Sequence, residues 1–243
     1  MELTEVLMPG QPIRELEAGL VSALDPDDEG AHYDSRAAAY DRLVSSTLYC
    51  RVAWGISPSA NTEFVAGGLT SENEGWVIDI AAGSCASSAI AYQRTSRPLV
   101  ILDRSLGMLR RGMARLRELH GTVPPHIVFM QADAKALPFR AGSMGTVICH
   151  GAFHVFSDPS AVCAEWVRIL KPGGRLYVSS LVRGRWLGDR YLGLLHRAGE
   201  VTQPRSAAEF AGLVESEMGG SADLESIGNF AYLSLRVGST PAV

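Results

Sequence analysis

The middle of the chain repeats one pattern, in which a short apolar run is followed by polar or helical sequence. Such runs cover residues 76–81, 98–103, 126–131, 144–150 and 175–181. Continuous Val, Ile and Leu is typical of strands buried on both faces of a parallel sheet. We expect helices directly after the first run, over 105–120 with Ser105 as N-cap, and from Pro159 to Leu170. The pattern predicts an α/β protein with a doubly wound, mostly parallel sheet.

The two ends of the chain depart from this repeat. Beyond two further helices, over 186–199 and 206–218, strands at 223–227 and 230–237 are separated only by Gly228 and Asn229. This spacing predicts an antiparallel hairpin at the sheet edge. Residues 1–30 have weak helical periodicity, and residues 32–68 predict N-terminal helices interrupted by Gly55 and Pro58. We expect a leader over 1–30, ordered at most in part, and one domain over 31–243, made of a helical cap (31–73) and a core (74–243).

Composition excludes several functional classes. The formal net charge of the 243 residues is −4, so no basic surface predicts a nucleic-acid partner. The acidic, polar N-terminus is unlike a signal peptide, and no run approaches the roughly 20 apolar residues of a membrane span. Zinc-ligand and redox spacings are absent among the cysteines, which are Cys50, Cys85, Cys149 and Cys163. We expect a cytoplasmic protein with free thiols, no metal and no membrane partner.

Four polar side chains follow consecutive predicted strands. They are Asp79, Asp103, Asp133 and His150. Ligands of open α/β sheets bind beyond the carboxyl ends of the strands, so these groups are expected to converge on one crevice. Asp103 follows Asp79 by 24 residues, close to the spacing at which an acid binds the hydroxyls of a ribose. The alternative for Asp103 is a cap on the helix that begins near Ser105.

The loop after the first strand restricts the choice of nucleotide. It reads Ala-Ala-Gly-Ser-Cys over 81–85, with one glycine, and not G-x-G-x-x-G. Neither lysine of the chain has a tyrosine four residues before it, and there is no G-x-x-x-x-G-K loop. Hydride transfer and phosphoryl transfer therefore both lack their usual residues.

Five motifs in order carry a family resemblance. They are VIDIAAGSCA, LDRSLGMLRRGMAR, MQADAKALPF, MGTVICHGAFHVFSDP and RILKPGGRLYVSS. Together they resemble the motifs of class I S-adenosylmethionine-dependent methyltransferases, which have a Rossmann-like fold with a C-terminal antiparallel strand. The branch that is most similar includes quinone C-methyltransferases and tailoring enzymes of secondary metabolism. The resemblance extends from about residue 33 to residue 237.

The resemblance implies S-adenosyl-L-methionine as the cofactor and a small molecule as the methyl acceptor. It places Asp103 on the ribose and Cys149 near the methionine amine. The full set of cofactor-binding residues that it implies is Tyr33, Tyr40, Asp79, Ala81, Gly83, Ser84, Cys85, Asp103, Arg104, Met108, Asp133, Ala134, Cys149 and His150.

The chain departs from the family pattern at three positions. Ala81 and Cys85 stand where the first motif usually has glycine, and Gly145 stands where the fourth usually has an acid. Because close backbone approach favours glycine, we expect Cys85 to reduce cofactor affinity without abolishing it.

The candidate catalytic residues are His150 and His154, since histidine titrates near neutral pH and could serve an acceptor that must lose a proton. A structural role is the alternative for each, more so for His154. Tyr33, Trp54, Trp186 and Tyr191 are candidates for lining an acceptor pocket, or else for core packing. A protein of this fold that binds the cofactor without transferring methyl, as a cyclase or binding protein, remains open, as does a homodimer.

Overall fold

The computed structural model of the protein describes residues 2–25 and 46–238. Their strands form one nine-stranded sheet in the order β1-β2-β5-β4-β3-β6-β7-β9-β8. The strand bounds are β1 Arg14–Glu17, β2 Leu20–Ser22, β3 Trp76–Ile80, β4 Leu99–Asp103, β5 Ile127–Gln131, β6 Met144–Cys149, β7 Leu170–Leu181, β8 Ala222–Ile227 and β9 Phe230–Arg236.

Strands β2 to β7 pair in parallel, whereas β1, β8 and β9 pair antiparallel to their neighbours. The chain runs outward from β3 to β4 and β5, and then returns to β6 on the other side of β3. This reversal leaves a crevice at the carboxyl end of β3, which is where such sheets bind ligands. The mostly parallel doubly wound sheet and its C-terminal hairpin are confirmed.

Helices cover both faces of the sheet. The α-helices are α1 Pro58–Leu69, α2 Leu106–His120, α3 Pro159–Ile169, α4 Trp186–Arg197 and α5 Ala207–Met218, and a short helix Thr47–Tyr49 continues into a π-helical turn Cys50–Trp54. Trp166 of α3 and Phe210 of α5 pack against one face, while Val65 of α1 and Leu109 of α2 pack against the other. None of the helices in the described ranges combines the length and apolarity that a bilayer crossing requires.

The weak helical periodicity of the N-terminal segment does not give an α-helix where the structure describes it. Residues 14–22 form the β1–β2 hairpin, which adds to the sheet beside β5. Leu20 is fully buried there, and Gly19 makes the turn with a φ of +82°. Strands of three and four residues are too short to show a period of two, and tertiary pairing decides their conformation.

The helix expected directly after β3 is also wrong. Residues 81–90 form successive turns, and only a short 3₁₀ helix, Ala91–Arg94, follows. Ala81 and Cys85 have φ values of +55° and +57°, which an α-helix cannot contain. Gly55 interrupts the N-terminal helices as expected: it ends the π-helical turn, in the left-handed conformation.

Candidate functional site

A cavity of about 900 Å³ opens at the carboxyl ends of the central strands. Its volume lies near the upper end of the roughly 300–1,000 Å³ of small-molecule sites. One half is lined by Asp79, Asp103 and Asp133, at or after the ends of β3, β4 and β5. The other half is lined by aromatic and aliphatic residues, namely Tyr49, Trp54, Ile56, Tyr191, Leu195 and Phe230. His150 follows β6, which lies between β3 and β7 in the sheet, so it stands between the two halves.

The loop of residues 81–85 lies along the acidic half with three left-handed residues. Ala81, Gly83 and Cys85 have φ values of +55°, +56° and +57°. For a non-glycine residue this conformation costs about 1–2 kcal/mol. Arg115 of α2 stabilises the loop, because its Nη1 donates hydrogen bonds to the backbone oxygen and the hydroxyl of Ser84. The chain therefore keeps the backbone of a glycine-rich loop without two of its glycines.

Asp79 is buried at the end of β3 with one unpaired oxygen. Its Oδ2 accepts a 2.6 Å hydrogen bond from the Tyr92 hydroxyl, and its Oδ1 has no partner among the described residues. Burial raises the pKa of the Asp79 carboxyl to about 7, with the Tyr92 hydrogen bond opposing the rise and the charge of Asp103 adding to it. An unpaired buried carboxylate oxygen beside a cavity is a site for a cationic ligand group.

Asp103 fastens the loop to α2. Its Oδ2 accepts from the Gly83 backbone N–H at 2.8 Å and its Oδ1 from the Ser105 N–H at 2.9 Å. The N-cap of α2 is Ser105, whose hydroxyl accepts from the Met108 N–H, as the sequence indicated. Asp103 therefore organises both the loop and the start of the helix while also lining the cavity.

Asp133 pairs with Arg104 at the rim of the acidic half. The Arg104 Nη1 and Asp133 Oδ2 atoms are 2.6 Å apart, and the Lys135 backbone N–H donates to Asp133 Oδ1. The ion pair is partly exposed, with the Arg104 side chain the more exposed of the two. It fixes the rim beside Met108 and Ala134, which also line the cavity.

His150 is held by a hydrogen-bond relay from β7. Its Nδ1 is 2.8 Å from the Ser179 hydroxyl oxygen, which accepts a hydrogen bond from the Gly151 N–H. Since a serine oxygen can accept two hydrogen bonds and donate one, this contact is compatible with an imidazole proton on either ring nitrogen. Burial lowers the pKa of His150 to about 4, so the ring is neutral at pH 7.

The tautomer of His154 is fixed by the backbone of β7. Its Nδ1 accepts a hydrogen bond from the Leu181 backbone N–H at 3.3 Å, which leaves the proton on Nε2. Burial lowers the pKa of this imidazole to about 4 as well. His154 also accepts, through its backbone oxygen, hydrogen bonds from the N–H and hydroxyl of Thr202. The residue therefore joins β7 to the segment after α4.

The aromatic half is built mainly from residues that sequence patterns did not reveal. The Tyr49 and Tyr191 hydroxyls are 3.3 Å apart, and the Trp54 ring lies 5.2 Å from that of Tyr191. Asn61 also lines the cavity, with its Oδ1 accepting from the Tyr232 hydroxyl at 2.6 Å. Trp54 and Tyr191 were candidates from the sequence. The others come from cap helices and the terminal hairpin, where only the three-dimensional arrangement brings them together.

The comparisons with known proteins agree with this geometry. Residues 78–178 match the family described as a methyltransferase domain. A demethylmenaquinone methyltransferase of Renibacterium salmoninarum is 38% identical over 103 residues, which is 42% of this chain and 40% of that protein. The chain carries a class I S-adenosylmethionine-dependent methyltransferase domain. The cofactor of the family is S-adenosyl-L-methionine.

Solved structures of other proteins share the fold of this chain. A geranyl diphosphate methyltransferase in complex with S-adenosylmethionine has a TM-score of 0.58 at 18% identity, covering 89% of this chain and 93% of that one. The cyclase SpnF has a TM-score of 0.66 at 14% identity, covering 87% and 96%. At these identities the likeness shows the fold alone. The chain spans about half the length of the curated relatives it matches, between 37% and 61%.

Most of the residues expected to serve the methyltransferase cofactor line the cavity. These are Asp79, Ala81, Gly83, Ser84, Asp103, Arg104, Met108, Asp133, Ala134 and His150, and the candidate base His154 lines it too. Cys85 and Cys149 are buried beside it, and burial raises the pKa of both thiols. Tyr33 and Tyr40 lie outside the described residues. Within the described ranges no His, Cys, Asp or Glu side chains group as metal ligands.

Trp186 and Gly145 are not among the residues that line the cavity. The expectation that Trp186 lines an acceptor pocket is wrong, because its side chain is 72% exposed on the outer side of α4. At Gly145, any Cβ would overlap the backbone oxygen of Glu74, so this chain has no room for the acid that the family has at this position.

Proposed function

We propose that the protein transfers the methyl group of S-adenosylmethionine to a flat, apolar small molecule that carries an oxygen substituent. One observation supports this most strongly: a single cavity joins a carboxylate-lined half to an aromatic half, and His150 stands between them. Aromatic walls favour a flat acceptor, since ring stacking adds about 0.5–1.5 kcal/mol per pair beyond burial. The demethylmenaquinone methyltransferase relatives support a quinone-like acceptor.

The acidic half fits the cofactor by its chemistry. The ammonium of its methionine part would pair with the unpaired Oδ1 of Asp79 and hold that carboxyl in its charged form. Asp103 would bind the ribose hydroxyls while keeping the 81–85 loop in place. Met108 and Ala134 would contact the adenine ring, next to the Arg104–Asp133 pair. The cofactor supplies a sulfonium methyl whose leaving group is a neutral thioether, which needs no stabilising charge from the protein.

The protein's main contribution to catalysis would be alignment. Holding acceptor and methyl in line can supply on the order of 7–11 kcal/mol of the barrier. Because Ser179 engages His150 at Nδ1, the other ring nitrogen, Nε2, would be the one that faces the acceptor oxygen. A hydrogen bond from Nε2 would stabilise a phenol that has lost its proton to water, and the ring carbons and oxygen of that phenolate are the better nucleophiles. His154 would position β7, since its Nδ1 is already occupied by Leu181.

A binding or cyclase function without methyl transfer is the second candidate. It is favoured by the two non-glycine residues in left-handed conformations, which make the cofactor loop costly to hold. In that case the cofactor would bind, but no acceptor would be methylated.

The proposal is tested by asking whether different substitutions remove cofactor binding and turnover separately. The protein is incubated with S-adenosylmethionine and a panel of hydroquinones and phenols, and S-adenosylhomocysteine is measured by mass spectrometry. We expect Asp103→Ala to abolish cofactor binding, and His150→Ala to spare binding but lower turnover. His120→Ala, an exposed residue at the end of α2, is the matched control. Equal loss of binding in both site variants would contradict the assignment of roles, and binding without any product would favour the second candidate.

A further inference from the structure

The outer side of the cavity's aromatic wall is an exposed apolar surface. Trp186, Leu187 and Leu194 of α4 are 72%, 46% and 57% exposed, and Leu48 and Val52 of the adjoining helical segment are 73% and 52% exposed. These five residues form what we call the docking face. They account for five of the eight large apolar side chains that are strongly exposed in the described residues. Scattered single residues of this kind need no explanation, but a group on two adjoining elements marks an interaction site.

The docking face and the cavity share their secondary structure. The Tyr49 hydroxyl contacts that of Tyr191, which joins the helical segment to α4 on the inner side. On the outer side, Arg185 Nη1 reaches the Arg51 backbone oxygen at 3.5 Å. Each element therefore presents one side to the cavity and the other to the surroundings.

Arginines accompany the apolar side chains on the docking face. Arg51, Arg185, Arg190 and Arg197 are exposed, and none of them has a carboxylate partner among the described residues. Arg190 lies over the Trp186 ring, 5.3 Å from its centroid. The neighbouring Asp189 is turned inward, where its Oδ1 accepts from the Gly184 N–H and the Asn229 amide. The face is therefore basic although the whole chain has a net charge of −4.

We infer that the docking face binds the surface of an anionic lipid bilayer. A helix with Trp and Leu flanked by arginines on one side is the arrangement that lies in the bilayer interface. Charge complementarity favours anionic headgroups, and tryptophan favours the depth at which headgroups meet acyl chains. The sequence-based expectation of no membrane partner rested on the lack of a spanning segment, and a peripheral surface needs none. The idea that the bilayer delivers an apolar acceptor to the cavity rests on the proposed function. The docking itself does not depend on that function.

Vesicle flotation tests the docking without any need for activity. Vesicles of phosphatidylcholine with about 30% phosphatidylglycerol are compared with phosphatidylcholine alone. We expect the protein to float with the anionic vesicles, and Arg190→Gln with Arg197→Gln to lower its partition coefficient about 30-fold. Trp186→Ser should weaken binding to either vesicle. A matched control is Arg111→Gln with Leu119→Ser, an exposed pair on α2.

Three results would overturn the inference. One is the absence of flotation with anionic vesicles at low salt. Another is that the docking-face variants and the α2 control variant change flotation to the same extent. The third is a dimer in sedimentation experiments that Trp186→Ser dissociates, because the face would then be covered by a second copy of the chain.

Discussion

The left-handed loop allows a paired test, because Ala81 and Gly83 have nearly the same φ but different side chains. Ala81→Gly removes a strained methyl, and Gly83→Ala adds one. A Cβ at Gly83 would meet no atom within 4 Å, so its cost is conformational alone. The strain of about 1–2 kcal/mol is partly offset by about 0.4–1 kcal/mol, because alanine restricts the unfolded chain.

The two substitutions should therefore change stability in opposite directions. Gly83→Ala should lower the free energy of unfolding by about 0.8 kcal/mol. Ala81→Gly should raise it by about 0.4 kcal/mol, since the half-buried Ala81 methyl packs against the core and its loss costs about 0.4 kcal/mol. Urea unfolding of both variants without cofactor measures the difference. The reasoning is refuted if Ala81→Gly lowers the free energy of unfolding by more than about 0.5 kcal/mol relative to the parent. It is also refuted if Gly83→Ala leaves the free energy of unfolding unchanged.

The remaining predictions concern the groups around Asp79 and His150. Because the pKa of Asp79 is about 7 when folded, against an ordinary value of 3.8, the folded state holds a proton that the unfolded state releases. Stability from this group therefore falls as pH rises from about 4 to 7, and Asp79→Asn should flatten that slope in urea midpoints measured across the range. Tyr92→Phe should lower the free energy of unfolding by about 1–3 kcal/mol, measured by the same assay, because Asp79 loses its hydrogen-bond donor. Ser179→Ala should lower kcat about tenfold while leaving the Kd of S-adenosylmethionine unchanged, since it frees the His150 ring; a parallel rise in that Kd would contradict a role confined to His150.

Much of the fold could be predicted because the buried strands are continuous apolar runs. Strands β3 to β6 begin and end within a residue or so of the sequence-based bounds, and α2 begins after Ser105 as expected. The β1–β2 hairpin could not be predicted, because its partners lie more than a hundred residues away in β5. The turns after β3 follow from the left-handed residues, which helix propensity does not reveal.

The acids of the site were predictable from their position at strand ends, and the hydrogen bonds that decide their chemistry were not. Tyr92 lies 13 residues from Asp79, and Ser179 lies 29 residues from His150. No local pattern links these residues, yet Ser179 is the hydrogen-bond partner that holds the His150 ring. Asn61 is placed at the cavity by its contact with Tyr232 of the terminal hairpin, and Tyr49 by its contact with Tyr191 of α4.

Calorimetric titration of the cofactor-stripped protein tests the central claim most directly. S-adenosylmethionine and S-adenosylhomocysteine are titrated separately into the protein and into Asp103→Ala, with Asp223→Ala as an exposed acidic control. We predict that both ligands bind the protein and the control with a Kd on the order of micromolar, and that neither binds Asp103→Ala. If neither ligand binds the protein itself, the strained loop does not hold the cofactor and methyl transfer at this site is contradicted.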